Sequence, residues 1–141
     1  MSRVVKTAKG EMTDSLAFLI RDTRLLLMGQ IENRISRLNI PLRFWFPLQV
    51  LSRNEGMTQR ELGRHTGYGD ARAGVIVGVM MRRKLVTRRQ SSRDKRRIDL
   101  YLTPAGRKMA QQISRLSKAI NAQIVAGFTD AEAQTLKRSE E

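Results

Sequence analysis

The chain has 141 residues, of which 40% are hydrophobic, enough for one folded domain with its own core. Its 27 Lys and Arg against 13 Asp and Glu give a formal net charge of +14, which is typical of a protein that binds a polyanion. The absence of cysteine excludes disulfides, thiolate metal sites and cysteine-based catalysis. No apolar run approaches the roughly 18–20 residues of a membrane span, and the start lacks an apolar signal core, so we expect a soluble, cytoplasmic protein that does not enter a membrane.

A long first helix is predicted over residues 13–38. Its apolar residues recur at three- and four-residue steps, as one helix face requires: Leu16, Leu19, Ile20, Leu27, Ile31, Ile35 and Leu38. Leu25, Leu26 and Met28 widen this stripe beyond a single face. Such a helix must bury against more than its own small domain, or against a second chain.

A second helix is predicted over residues 42–52, directly after Pro41. Pro47 lies inside it, where proline removes a backbone donor and disfavours the helical conformation of the residue before it. We therefore expect either a kink at Pro47 or a helix that begins near Phe46.

Two short helices follow. Thr58 and Glu61 match a capping box that starts the first of them, and Gly67 is suited to a left-handed end. Asp70 is expected to cap the second, which runs to about Lys84. Two short helices joined by a tight glycine-containing turn are typical of a helix-turn-helix.

A β-hairpin is predicted next, from the β-prone segments 85–90 (LVTRRQ) and 98–102 (IDLYL) and the polar loop between them. Thr103 and Pro104 then start a long helix, with threonine as N-cap and proline in the first turn. A final capping box at Thr129 opens a last short helix. The predicted fold class is mainly α with a small β-hairpin wing (α+β), in a single domain over residues 1–141.

Positive charge is concentrated on the hairpin. The sixteen residues from Arg82 to Arg97 include nine Lys or Arg, and Asp94 is the one acidic residue among them. A solvated surface would interleave the two signs. This segment is therefore predicted to contact the backbone of nucleic acid.

The chain resembles the MarR (multiple antibiotic resistance regulator) family of winged helix-turn-helix regulators, over about residues 16–136. The resemblance rests on the segments 57–63 (MTQRELG), 85–88 (LVTR), 93–97 (RDKRR) and 102–107 (LTPAGR). It implies that Asp94 and Arg96 close the wing, with Arg96 entering the minor groove and Asp94 bracing the loop through a charge-assisted hydrogen bond.

The resemblance also implies a homodimer. About residues 13–38 and 103–141 would form the dimerisation helices, and about residues 42–102 the DNA-binding lobe, with two recognition helices in successive major grooves of double-stranded DNA. The broad apolar face of the first helix independently indicates such a partner. The expected dimer residues are Leu16, Leu19, Leu27, Ile31, Leu116, Ile120, Ile124 and Phe128.

The expected DNA contacts lie in the helix-turn-helix and the wing: Thr58, Gln59, Asp70, Arg72, Ala73, Arg82, Arg88, Arg93, Asp94, Lys95, Arg96 and Arg97. Two features depart from the family pattern. Lys84 stands where members usually have glycine, and the recognition helix has one long donor, Arg72, on its N-terminal half. Gly74 and Gly78 weaken that helix by roughly 1 kcal/mol each relative to alanine, so base readout is expected to be sparse.

The aromatic residues Trp45 and Phe46 have two interpretations. They are either plain core or, together with Arg21 and Arg24, the lining of a pocket for a small aromatic or anionic effector, which the family often binds. His65, the one histidine, is interpreted as a surface or phosphate-contacting residue. No metal site, cofactor or catalytic group is expected, because neither clustered carboxylates, a nucleophile turn nor a glycine-rich phosphate loop is present.

The sequence predicts a DNA-binding regulator rather than an enzyme. The first hypothesis is a homodimeric, sequence-specific repressor that a small ligand releases from DNA. The alternative is a sequence-neutral, architectural nucleic-acid-binding protein, in which the basic wing supplies nearly all the affinity.

Overall fold

The computed structural model describes residues 16–126, 129–131 and 134. The elements in chain order are α1 (Leu16–Ser36), a short 3-10 turn (Leu42–Phe44), α2 (Trp45–Arg53), α3 (Gln59–Thr66), α4 (Asp70–Arg82), β1 (Val86–Gln90), β2 (Ile98–Leu102) and α5 (Pro104–Val125). The two strands form an antiparallel hairpin in which Val86 pairs with Leu102 and Gln90 with Ile98. The predicted fold class, mainly α with a small hairpin, is confirmed.

Local capping signals place the ends of α3. The Thr58 hydroxyl accepts a hydrogen bond from the Glu61 N–H at 3.2 Å, and the Thr58 N–H donates to the Glu61 carboxylate at 2.7 Å, which completes the predicted capping box. Gly67 ends the helix in the left-handed conformation with φ 70°. The N-cap of α4 is Gly69 and not Asp70, which is the first residue of the helix.

Proline does not kink α2. Pro47 lies in the first turn, where a backbone N–H has no partner within the helix in any case. The 3-10 turn over Leu42–Phe44 leads directly into this turn. The helix therefore begins close to Phe46, the second of the two predicted arrangements, and runs unbroken to Arg53.

The core is centred on α2. Side chains of α2, α4 and α5 meet there with those of the hairpin and the C-terminal half of α1, and the largest fully buried ones are Phe44, Ile35, Leu48, Leu51, Leu62, Met80, Leu100 and Ile113. Within the part of the chain that the structure describes, no helix is both long and apolar enough to cross a membrane.

Two residues expected at the dimer interface belong instead to this core. Ile31 is 9% exposed and Ile120 is 5% exposed, because α1 and α5 bury them within the same chain. The prediction that they face a second chain is therefore wrong. Phe128 and most of the predicted last helix lie outside the described residues.

The start of α5 is docked tightly on the start of the hairpin. The Thr103 N–H donates to the Leu85 carbonyl at 3.0 Å, and the Thr103 side chain caps Gly106. A Cβ atom on Gly106 would lie 2.0 Å from that same Leu85 oxygen, so only glycine fits between helix and strand.

We expect Gly106→Ala to lower the free energy of unfolding by about 3 kcal/mol, because the added methyl group must displace backbone and not a flexible side chain. The matched control is Gly29→Ala in α1, where a Cβ atom would meet nothing within 4 Å. This control should be neutral or stabilise the chain by up to about 1 kcal/mol. Urea denaturation of both variants measures the difference, and equal midpoints would contradict the tight docking.

Candidate nucleic-acid interface

Helix α4 presents one face to the core and the other to solvent. Ala73, Ile76, Val77 and Met80 are buried. The exposed side chains of the helix are Asp70, Ala71, Arg72, Val75 and Arg82. A helix of this size with a free face fits the major groove of DNA.

Ala73 lies on the wrong face to contact DNA. It is 2% exposed and packs beneath the turn between α3 and α4, where a Cβ atom on Gly63 would be 3.3 Å from the Ala73 Cβ and 3.0 Å from the Tyr68 carbonyl oxygen. The close approach of the two helices at Gly63 requires a small residue at 73. The prediction that Ala73 contacts DNA is therefore wrong.

Arg72 is positioned by an aromatic ring. Its guanidinium carbon lies 4.2 Å from the centroid of the Tyr68 ring, a cation–π contact. The side chain remains exposed at the N-terminal end of α4. This contact limits the rotamers of the one long donor on that half of the helix.

A groove between the start of α3 and the wing brings several of the predicted residues together. Its lining consists of Thr58, Gln59, Arg60, Asp70, Arg88, Arg96, Arg97, Ile98 and Leu100. Across it the Arg88 guanidinium donates to the Gln59 side-chain oxygen at 2.8 Å. Asp70 lies 3.5 Å from Arg60, and both of these side chains are exposed.

The loop at the tip of the wing, residues 91–97, is ordered by its own backbone and by Asp94. The Asp94 carboxylate accepts a hydrogen bond from the Arg96 N–H at 2.9 Å, and the Asp94 carbonyl accepts one from the Arg97 N–H at 2.9 Å. Arg93, Lys95 and Arg96 are exposed on this loop. No ion pair with another described residue holds the Arg96 guanidinium.

Arg97 is turned inward. Its Nε donates to the Asp99 carboxylate at 2.6 Å, its two terminal nitrogens donate to the Glu61 carboxylate at 3.1 and 2.9 Å, and one of them also reaches the Gly56 carbonyl at 3.1 Å. Every guanidinium nitrogen is used within the chain. These contacts give Arg97 a structural role within the chain, which we call the Arg97 brace (Arg97 with Glu61, Asp99 and Gly56).

The brace shifts the pKa values of Arg97 and Glu61. Hydrogen bonds to Asp99 and then to Glu61 raise the pKa of Arg97 above its ordinary value. The pKa of Glu61 lies below its ordinary value, chiefly because the Thr58 N–H donates to it, with Arg97 adding to the effect and burial opposing it. Glu61 is thus ionised and serves the helix cap and the wing at once.

A cavity of about 450 Å³ lies between α1, α2, α3 and α5. Its lining consists of Leu27, Ile31, Trp45, Phe46, Gln49, Val50, Arg53, Asn54, His65, Ser117, Ile120, Asn121 and Ile124. Trp45 and Phe46 line it as expected, but Arg21 and Arg24 do not. The basic groups in the lining are Arg53 and His65, neither of which the sequence singled out for this cavity.

Comparison with known proteins agrees with this arrangement. The sequence model that describes the MarR family matches residues 46–97, the segment from α2 to the end of the wing loop. An HTH-type transcriptional repressor of Mycobacterium tuberculosis is 24% identical over 123 residues, which cover 87% of this chain and 88% of the relative.

Two solved structures are similar to the chain. The transcriptional repressor CouR bound to a 23-mer DNA duplex superposes with a TM-score of 0.83 at 18% identity, covering 95% of each chain. The complex of a MarR family protein of Mycobacterium tuberculosis with salicylic acid superposes with a TM-score of 0.69 at 23% identity, covering 89% of this chain and 93% of the other. These likenesses establish the winged-helix fold.

The lowered pKa of Glu61 makes the stability of the chain depend on pH. The ionised carboxylate stabilises the fold above the ordinary pKa of 4.5, and this contribution is lost as the pH falls through the lowered pKa. We expect Glu61→Gln, which keeps the shape of the capping box, to unfold at lower urea than wild type at pH 7 and to approach it as the pH falls below 4.5.

The control is Asp22→Asn, since Asp22 pairs with Arg21 in a contact where both side chains are mostly exposed. This variant should follow the wild-type urea midpoint at every pH. A Glu61→Gln midpoint equal to that of wild type at pH 7 would show that the charge of Glu61 contributes nothing to stability.

Proposed function

We propose that the chain is a regulator of the MarR type, a homodimeric repressor that binds specific sequences in double-stranded DNA. The observation that carries the proposal is the placement of an ordered, cationic wing loop beside the free face of α4. Arg93, Lys95 and Arg96 extend from the loop, while Arg72 and Arg82 stand on the helix. We propose that it acts as a binding protein of the cytoplasm rather than as an enzyme.

This arrangement suits a division of labour on DNA. The loop can place Arg96 in a minor groove, where a guanidinium senses groove width and potential. Arg82 on α4 and the loop cations Arg93 and Lys95 can neutralise phosphates, which gives affinity that falls as salt rises. The free face of α4 is left to contact base edges in the major groove. The similar repressor CouR, whose structure is bound to a DNA duplex, supports this assignment.

A sequence-neutral, architectural binder is the alternative, and the scarcity of hydrogen-bond donors on the free face of α4 favours it. Arg72 and Arg82 are the long donors that its free face offers, and Ala71, Val75 and the glycines supply no side-chain hydrogen bonds. Electrophoretic shifts with a selected operator and with random duplexes over a salt series separate the two. A regulator keeps a preference of roughly 10³ or more at physiological salt.

The proposed dimer rests on apolar surface that the protomer leaves uncovered. Leu19, Ile20, Leu25 and Leu26 on α1 are 54–72% exposed, and Ile124 and Val125 at the end of α5 are 37% and 39% exposed. A patch of this kind is typical of an interface. A second copy of the chain that covers α1 and the end of α5 would bury it and set the distance between two recognition helices.

We also propose that a small aromatic anion binds in the cavity between α1, α2, α3 and α5. Trp45 and Phe46 offer aromatic surface, and the Arg53 guanidinium can pair with a carboxylate. The similar MarR family protein in complex with salicylic acid supports this class of ligand. Because α1 and α5 line the cavity together with α2 and α3, a ligand there would contact both the dimerisation helices and the DNA-binding lobe.

Arg96→Ala should weaken binding to an operator duplex by roughly 5- to 100-fold, because it removes a guanidinium that can enter the minor groove. The stability of the fold should be unchanged, since an exposed loop residue buries little. Arg115→Ala, which removes an exposed arginine from α5, should stay within about twofold. Fluorescence anisotropy measures both, and equal affinities for the two variants would contradict the role of the wing loop.

Leu26→Asp should convert the dimer to a monomer and abolish operator binding at low protein concentration. Leu26 is 72% exposed in the protomer, so the substitution places a charge in the interface without disturbing the core. Ile98→Asp, at a 53% exposed apolar residue of the wing, should leave the dimer intact. Sedimentation velocity measures the mass of the wild type and of both variants, and a monomeric wild type would contradict the proposed dimer.

Salicylate should quench or shift the fluorescence of Trp45, the one tryptophan of the chain, in the micromolar to millimolar range. Arg53→Ala should lose this response, whereas Arg21→Ala should keep it, because Arg53 lines the cavity and Arg21 does not. If wild-type fluorescence is unchanged up to millimolar salicylate, the cavity does not take this ligand class.

A further inference from the structure

The free face of α4 has an apolar centre. Its outward line consists of Ala71, Val75, Gly78 and Arg82, at steps of four, three and four residues along the helix. Val75 is 68% exposed, which makes it one of the most exposed large apolar side chains in the described chain. Others of comparable exposure lie on α1, in the proposed dimer interface.

The neighbours of Val75 on this line have short side chains or none. Ala71 ends at its Cβ, and Gly78 has no side chain, so a Cβ atom there would meet only the end of Arg82 at 3.7 Å. The floor of the DNA major groove can therefore approach the helix backbone closely. Val75 is the side chain that projects furthest from the middle of the line. Arg72 and Arg82 flank it toward the two ends of the helix.

A single exposed valine is ordinary on a protein surface. Here, however, it lies between Arg72 and Arg82 on a helix that leads directly into the basic wing. An apolar protein partner would have to bury these charges unpaired, which is costly. A polyanion would pair them and present base edges to Val75.

Base edges in the major groove carry one apolar group, the C5 methyl of thymine, while their other distinguishing groups are donors and acceptors. Valine neither donates nor accepts a hydrogen bond. We infer that Val75 is a specificity-determining residue that packs against a thymine methyl group in each half-site. This inference rests on the proposed DNA-binding function and names how α4 reads sequence with so few donors.

The experiment uses the full-length protein and an operator duplex selected from a random pool. Each thymine is replaced in turn by deoxyuridine, which removes the methyl group and keeps the pairing. At one or two positions in each half-site, wild type should lose about fourfold in affinity per methyl, the effect of one buried carbon group. Val75→Ala should bind the thymine and deoxyuridine duplexes equally at those positions.

Val79→Ala is the matched control, because Val79 is a half-buried valine on the same helix and packs against the core. It should keep the preference for thymine over deoxyuridine. The inference is overturned if no thymine shows the effect, or if Val75→Ala keeps it. In either case a wild-type preference for the operator over random duplexes would leave the proposed regulator standing, whereas loss of that preference would reject the sequence-specific function as well.

Discussion

The Arg97 guanidinium is the contact on which the geometry of the DNA-binding lobe depends. It joins the start of β2 to the first turn of α3 and to the loop at Gly56, and the isolated bridge between Met57 and Leu100 reinforces the same junction. A two-stranded hairpin is marginally stable by itself. The wing is therefore held at a defined angle to α3, and through the tight turn at Gly63 to α4, by an ion-pair network at its base.

This network divides the cations of the basic segment into two groups. Arg97 and Arg88 make contacts within the lobe, Arg97 with Glu61 and Arg88 with Gln59. Arg93, Lys95 and Arg96 are displayed on a loop whose shape the Asp94 carboxylate maintains. The net charge supplies attraction to a polyanion, while the inward group gives the outward group a fixed position. Without that positioning the same charge would confer affinity and little else.

The helices α1 and α5 pack on the DNA-binding lobe and also carry the surface proposed for the dimer interface. One side of each helix closes the core through Ile31 and Ile120, and α1 leaves a second apolar side uncovered at Leu25 and Leu26. The cavity lies where these helices meet α2 and α3. A ligand in the cavity and a partner on the uncovered side would thus act on the same two helices, which is the geometry that a ligand-responsive dimer requires.

Short-range chemistry made much of the fold predictable from the sequence. The capping box at Thr58, the left-handed end at Gly67 and the Thr103–Pro104 helix start each involve neighbours within a few residues, and the sequence by itself determined them. The charge of the wing is local in the same sense, while its closure by Asp94 was implied by the family resemblance. Only the tertiary structure decided that Arg97 faces Glu61, 36 residues away, that Ala73 and Ile31 face the core, and that Arg53 and not Arg21 lines the cavity. The physical reason is that a side chain's partners across the core are set by how helices pack, and helical periodicity gives a face without saying what that face meets.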